Sequence, residues 1–184
     1  MTLPPDVVLH FSEDPSIRRF EPHEARTAQQ PGAWVWAVDA YRESTYWFPR
    51  QCPRISFWPH PDRPVTDEQR SILGWTAAAR VHAIESGWLT RLRSCSLFVY
   101  RLPGATFRDT TGEFGGEGRG FWVSAEAVSP LSVEPVGDLL AKHAKNGQEL
   151  RVTPSLWGLW DRVVPSGLDF SGIRLANATP RPTA

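Results

Sequence analysis

Lysine is almost missing from this chain: Lys142 and Lys145 are the only two, and the rest of its 20 basic residues are arginine. Net charge of one sign is missing too, because 20 acidic residues bring the formal charge to +0. A chain so balanced lacks the electrostatic footprint with which proteins hold polyanions regardless of sequence, so neither non-specific nucleic-acid binding nor attachment to an anionic membrane surface is expected. Cysteine is scarce. Cys52 and Cys95 lie far apart, with no C-x-x-C or Cys/His ligand spacing, which argues against a zinc knuckle or a redox pair and for two reduced thiols. No run approaches the roughly 20 apolar residues that a membrane-spanning helix needs. Pro4, Pro5 and Asp6 also interrupt any apolar leader after Met1, so the expected location is the cytoplasm. Neither G-x-S-x-G, nor a Walker phosphate loop, nor G-x-G-x-x-G after a strand occurs, which removes the most readable hydrolase and nucleotide-fold signatures.

What is there suffices for one compact core: 184 residues, 41% of them hydrophobic. The expected fold is a single α+β domain over residues 1–178 with a frayed tail at 179–184, built on a mixed or mostly antiparallel sheet with one long helix and several short ones. Strands are expected at Val7 to Phe11, Ala33 to Val38, Arg54 to Trp58, Ser96 to Leu102, Gly120 to Ser124, Leu131 to Val136, Glu149 to Val152 and Gly172 to Leu175, where β-branched and aromatic residues cluster between turn formers. The long helix is expected over about 66–86. T-D-E-Q at Thr66 supplies a capping box, and Ile72, Trp75, Ala79 and Ala83 recur at helical spacing. Shorter helices are expected over Ala40 to Phe48, Asp138 to Lys145 and Ser155 to Val163. The Gly- and acid-rich stretch Asp109 to Gly120 reads as a loop, either a lid over a pocket or an ordinary flexible connection.

The stretch HFSEDPSI joins an apolar strand to a polar turn through His10. An imidazole at a strand end can bond a ribose hydroxyl and change charge near neutral pH, or it can be satisfied by backbone and Ser12. Glu13 and Asp14 suit capping of the turn that follows. In Y-W-F-P-R-Q-C-P-R, Arg50 and Arg54 stand on backbone stiffened by proline, a way to hold a guanidinium fork ready for a phosphate; pairing with Asp39 or Glu43 is the alternative. Tyr46, just upstream, would supply an aromatic wall or pack in the core. His82 and Glu85 would share a face of the long helix, yet H-x-x-E lacks a third ligand, so no metal is expected. His23, His60 and His143 have no partners in sequence. Arg151 and Arg174 interrupt apolar strand patterns and either point outward or pair with Glu149 and Glu126.

The pieces HFSEDPSI, VWAVD, YWFPRQCPR, FWVSAEAVSPLSVEP, ELRVTPSLWGL and SGIRLANA together resemble a bacterial family of unknown function over nearly the whole chain. That resemblance implies no reaction. More distantly, the chain is similar to the ADP-ribosyltransferase-like fold, in which a first strand ends in a histidine or arginine and a later strand region carries a carboxylate. That likeness implies His10 and Glu126 as catalytic residues and NAD as the cofactor; together with Tyr46, Arg50 and Arg54 they are expected to line a pocket for a nucleotide-like small molecule. The competing expectation is a non-catalytic binding or interaction module, whose many tryptophans and prolines form a partner surface; the sequence names no protein partner.

Overall fold

Apolar runs rich in β-branched and aromatic residues fit a half-buried pleated surface. Three of them, V-V-L-H-F-S, A-W-V-W-A-V and F-V-Y-R-L-P, form strands at the middle of one sheet in the computed structural model, which describes residues 5–24, 32–113 and 120–181. The chain divides into two units, each assembled from two separate stretches: Met1–Trp47 with Ser96–Gly137, and Phe48–Cys95 with Asp138–Ala184.

Numbering strands in chain order, the first unit holds β1 (Val7–Ser12), β2 (His23–Glu24), β3 (Ala33–Val38), β6 (Phe98–Pro103), β7 (Arg108–Asp109), β8 (Phe121–Ser124) and β9 (Ser132–Pro135). They form an antiparallel sheet in the order β7-β8-β3-β1-β6-β9, with β2 added beside β3. The β1–β6 ladder is complete, from Val7↔Pro103 to Ser12↔Phe98, whereas β1 and β3 register only at Leu9↔Val38. Alternation sends Val8, Tyr100, Leu102, Val35, Ala37 and Trp122 to one face, where Phe20, Phe107 and Val128 close the core.

The second unit is a four-stranded sheet of β4 (Arg54–Trp58), β5 (Arg80–Glu85), β10 (Gln148–Thr153) and β11 (Asp169–Ile173) in the order β10-β5-β4-β11. β10 runs parallel to β5, and the other pairs are antiparallel. Its helices are α1 (Asp67–Leu73), α2 (Leu89–Ser94), α3 (Leu139–Lys145) and α4 (Trp157–Val163). The odd-numbered residues of β4 and β5 (Ile55, Phe57, Val81 and Ala83) pack with Ile72 and Leu73 of α1 and with Leu156 and Val163 at the two ends of α4. The even-numbered ones face the other way and carry the polar side chains described below.

The α+β class and the predominantly antiparallel pairing agree with the sequence reading; the long helix does not. The capping box forms, with Thr66 accepting from the backbone of Gln69 at 3.2 Å and the Gln69 side chain accepting from the backbone of Thr66 at 3.1 Å. The helix then ends at Leu73, because Gly74 takes φ 70° and ψ −148°, a conformation that only glycine adopts readily. Arg151 reinforces the stop by donating to the carbonyls of Ile72, at 2.8 Å, and Leu73. Residues 80–85 are strand β5, so Ile72 and Ala83 are buried on different elements, and Trp75, expected to share a helix face with them, is wholly exposed at 106%. The helix expected over Ala40 to Phe48 shrinks to a 3-10 turn at Glu43–Tyr46. Phe114 to Arg119, where much of the expected lid falls, lie outside the described residues, as do Pro182 to Ala184. Before that point the C-terminal segment is tied down: Thr179 donates to Glu85 from its backbone, at 2.8 Å, and its hydroxyl, at 2.9 Å, and Arg181 pairs with Asp161.

Candidate functional site

In the first unit, the alternation of β1 places His10 on the core face beside its cross-strand neighbour Tyr100 and sends Phe11 to the opposite face. His10 Nδ1 lies 2.9 Å from the carbonyl oxygen of Trp36. A carbonyl can only accept, so in the neutral ring Nδ1 carries the hydrogen and Nε2 carries the lone pair. The imidazole thus takes a β3 carbonyl at a point where the β1–β3 ladder has no backbone pair. Its ring sits 4.7 Å from that of Phe20, and Phe20 exchanges two backbone hydrogen bonds, of 2.8 and 2.9 Å, with Val128. Glu126, two residues upstream of Val128, is exposed; its backbone N–H donates to Ser124 Oγ at 3.1 Å. His10 thus packs on Phe20, whose backbone is bridged to Val128, two positions after Glu126. Tyr46 is not with them: its ring stacks on Phe11 at 6.3 Å and meets the edge of Phe121 at 6.4 Å, on the far side of the sheet.

The S-E-D-P turn after β1 is held by Tyr100, whose hydroxyl donates to the Asp14 carbonyl at 2.6 Å and accepts from the Ile17 N–H at 3.1 Å. No helix follows Asp14, whose carboxylate instead closes a local turn onto Ser16. The hydroxyl and backbone N–H of Ser16 both donate to its carboxylate and hold its pKa below the ordinary value.

Arg50 and Arg54 belong to the second unit. Arg50 is exposed on a turn closed by a 2.9 Å bond from the Cys52 N–H to the Pro49 carbonyl. Arg54 is 2% exposed, donates to the Cys52 carbonyl at 3.0 Å, and has its guanidinium carbon 5.2 Å from the centre of the Phe48 ring. It opens a buried polar layer on the even face of the sheet. Arg80 stands 3.9 Å over the Trp58 ring. Ser56 and His82 are direct cross-strand partners, with Oγ 2.7 Å from Nδ1. From α3, His143 donates Nδ1–H to the carbonyl of Leu139 at 2.7 Å. The rings of His82, His143 and Phe48 meet edge to face, 4.8 to 5.4 Å apart. Beside His82 lies Gln148; His82 Nε2 and Gln148 Oε1 are both buried without a well-formed hydrogen bond.

Burial governs protonation throughout this layer. It drives the His82 pKa well below the ordinary imidazole value, assisted by His143, Arg80 and Arg54. The His143 pKa is lowered as well, by burial first and then by Lys142 and Arg54, against the raising effect of the Leu139 carbonyl. The Cys52 thiol is pushed up to about 12 by burial and is an inert core group at neutral pH. A hydroxyl hydrogen-bonded to an imidazole has the geometry of an activated nucleophile, but Ser56 and His82 are both wholly buried, so the pair serves here as a core hydrogen bond.

The pairing of His82 with Glu85 on a helix face is corrected by the strand: three residues apart on β5, they point to opposite faces. Glu85 instead accepts from the Leu156 N–H at 3.2 Å and from Thr179. Among the described residues, no group of three or more His, Cys, Asp or Glu side chains is placed to hold a metal ion. Arg151 turns to α1 and bonds Glu149 at 2.7 Å, where the Thr76 and Arg151 hydrogen bonds and the Arg151 charge outweigh burial to hold the Glu149 pKa down. Sequence reasoning passed over Ser56 and found no partner for His143. For Ser56 a signal existed, since R-I-S-F-W and R-V-H-A-I-E carry their polar residues at one parity.

A family model described as "Family of unknown function (DUF6886)" matches residues 9–178. No curated protein and no solved structure matches the chain. Among the described residues, no helix is long and apolar enough to cross a membrane.

Proposed function

We propose that this chain, which belongs to the DUF6886 family of unknown function, binds a nucleotide-like ligand through its first unit, with His10 and Glu126 as the polar contacts. The observation that carries the reading is the His10 imidazole, oriented by the Trp36 carbonyl so that Nε2 is an acceptor, and joined through Phe20 and Val128 to the segment bearing an exposed carboxylate. This pair suits NAD. An imidazole acceptor takes the hydrogen of a ribose hydroxyl, and a carboxylate stabilises the positive charge that develops as the nicotinamide glycosidic bond opens. ADP-ribosyl transfer is the reaction class that fits. Tyr46, on the other face of the sheet, and Arg50 and Arg54, in the second unit, have no part in this reading.

The test is thermal unfolding with NAD, ADP-ribose and a panel of nucleotides. A ligand at 100 times its Kd stabilises by about 2.7 kcal/mol. The expected result is a shift with NAD or ADP-ribose that Glu126→Gln, a change at an exposed position, removes or halves. No shift with any nucleotide overturns the reading in favour of a non-catalytic interaction module. The observation favouring that second reading is Trp75, fully exposed next to Gly74.

A further inference from the structure

The two buried histidines of the second unit take no part in the reading above, and they join α3 to the sheet. We propose that the His82–His143 contact is an acid-sensitive latch: while both rings are neutral it seats α3 on the even face of β4 and β5, and proton uptake by the pair releases the helix.

The geometry gives each ring one committed nitrogen. His143 spends Nδ1–H on the Leu139 carbonyl of its own helix, so a proton arriving at this ring goes to Nε2, buried within the layer. His82 meets the Ser56 hydroxyl at Nδ1, and its Nε2 is enclosed without a well-formed hydrogen bond. The ring centroids are 5.3 Å apart, and Phe48 packs its edge against both. An imidazolium formed here has an apolar ring and a second imidazole as neighbours instead of water.

Three basic groups near the pair oppose a further positive charge. Arg80 lies on the strand of His82, Arg54 faces it from β4, and Lys142 precedes His143 on α3; each lowers the proton affinity of one or both rings. β10 contributes the uncharged Gln148, and α2, packed on α3, carries Arg91 and Arg93 at exposed positions. The Cys52 thiol is neutral at every pH of interest. The acids of β5 and β10, Glu85 and Glu149, sit at odd positions and face the other side of the sheet. Protonating either ring thus adds a cation to a layer of cations, and the relief available is to let α3 swing into water.

Hydrogen exchange of the α3 amides, followed from pH 7.5 to pH 5 in the full chain, tests this. Where both rings are neutral in the closed form and charged in the open one, the opening constant of α3 should rise about a hundredfold per pH unit. In His143→Gln or His82→Gln it should rise only about tenfold per unit, because one proton remains coupled. His60→Gln, on an exposed turn, should leave the wild-type slope unchanged. A wild-type slope below about tenfold per unit overturns the latch even if neither core variant folds. A wild-type slope that persists in both core variants overturns it as well.

Discussion

Ser56 and His82 show how much a single cross-strand contact carries when no water can replace it. A hydroxyl placed 2.7 Å from an imidazole nitrogen in a wholly buried layer satisfies two groups at once. Removing one partner leaves the other desolvated and unmatched, which costs about 1–3 kcal/mol. Ser56→Ala should therefore lower the unfolding free energy by that amount, moving the denaturant midpoint down without changing the slope of the transition. A fall below about 0.5 kcal/mol would mean that the hydroxyl is not a partner of the ring. The layer could be read only in part from the chain: polar residues of one parity in two strand-like runs announce a polar face, as at Arg54, Ser56, Arg80 and His82. Nothing local says that His143, a long way downstream on a helix, closes the same layer.

At the scale of elements, Gly74 divides a helix from a strand. The run Ile72, Trp75, Ala79, Ala83 satisfies a helical period, yet R-V-H-A at 80–83 alternates with a period of two where the run ends, and periodicity alone cannot decide between them. The decision comes from Gly74 at positive φ and from Arg151, which arrives from β10 to take the last carbonyls of α1. A Cβ at position 74 meets only Arg151 Nη2, at 3.6 Å, so Gly74→Ala probes backbone strain with almost no steric clash. It should cost about 1–3 kcal/mol in chemical denaturation, whereas Ala77→Gly, at an exposed site three residues on, should cost less than about 1 kcal/mol. Equal losses would show that the position tolerates a side chain. Strands β1, β3 and β4 were legible because their apolar runs stand between strong turn formers. The extent of β5 was not, because its start has no proline or glycine of its own.

For the molecule as a whole, the buried histidines set how stability responds to acid. Both fold with a pKa below the ordinary imidazole value near 6.5, so the unfolded chain takes up protons first as pH falls. Stability is then fully present above about pH 6.5 and declines below it, by roughly 1 kcal/mol per pH unit for each histidine, until the folded-state pKa is reached. Urea unfolding should give a smaller free energy at pH 5.5 than at pH 7.5, and His143→Gln should reduce the difference. A protein equally stable at both values would contradict the burial of these rings.

The order in which the chain is made has a consequence of its own. Each unit needs a stretch from before residue 95 and a stretch from after it. The first unit becomes complete when Gly137 has been synthesised. By then β4 and β5 already exist, but β10, the parallel neighbour of β5, does not. A nascent chain paused there carries one finished sheet and a β4–β5 pair with both edges bare, one until Gln148–Thr153 emerges and the other until Asp169–Ile173 follows. That interval is when the protein is most prone to pair with another chain, and slowing synthesis of the stretch from residue 137 to residue 173 should lengthen it.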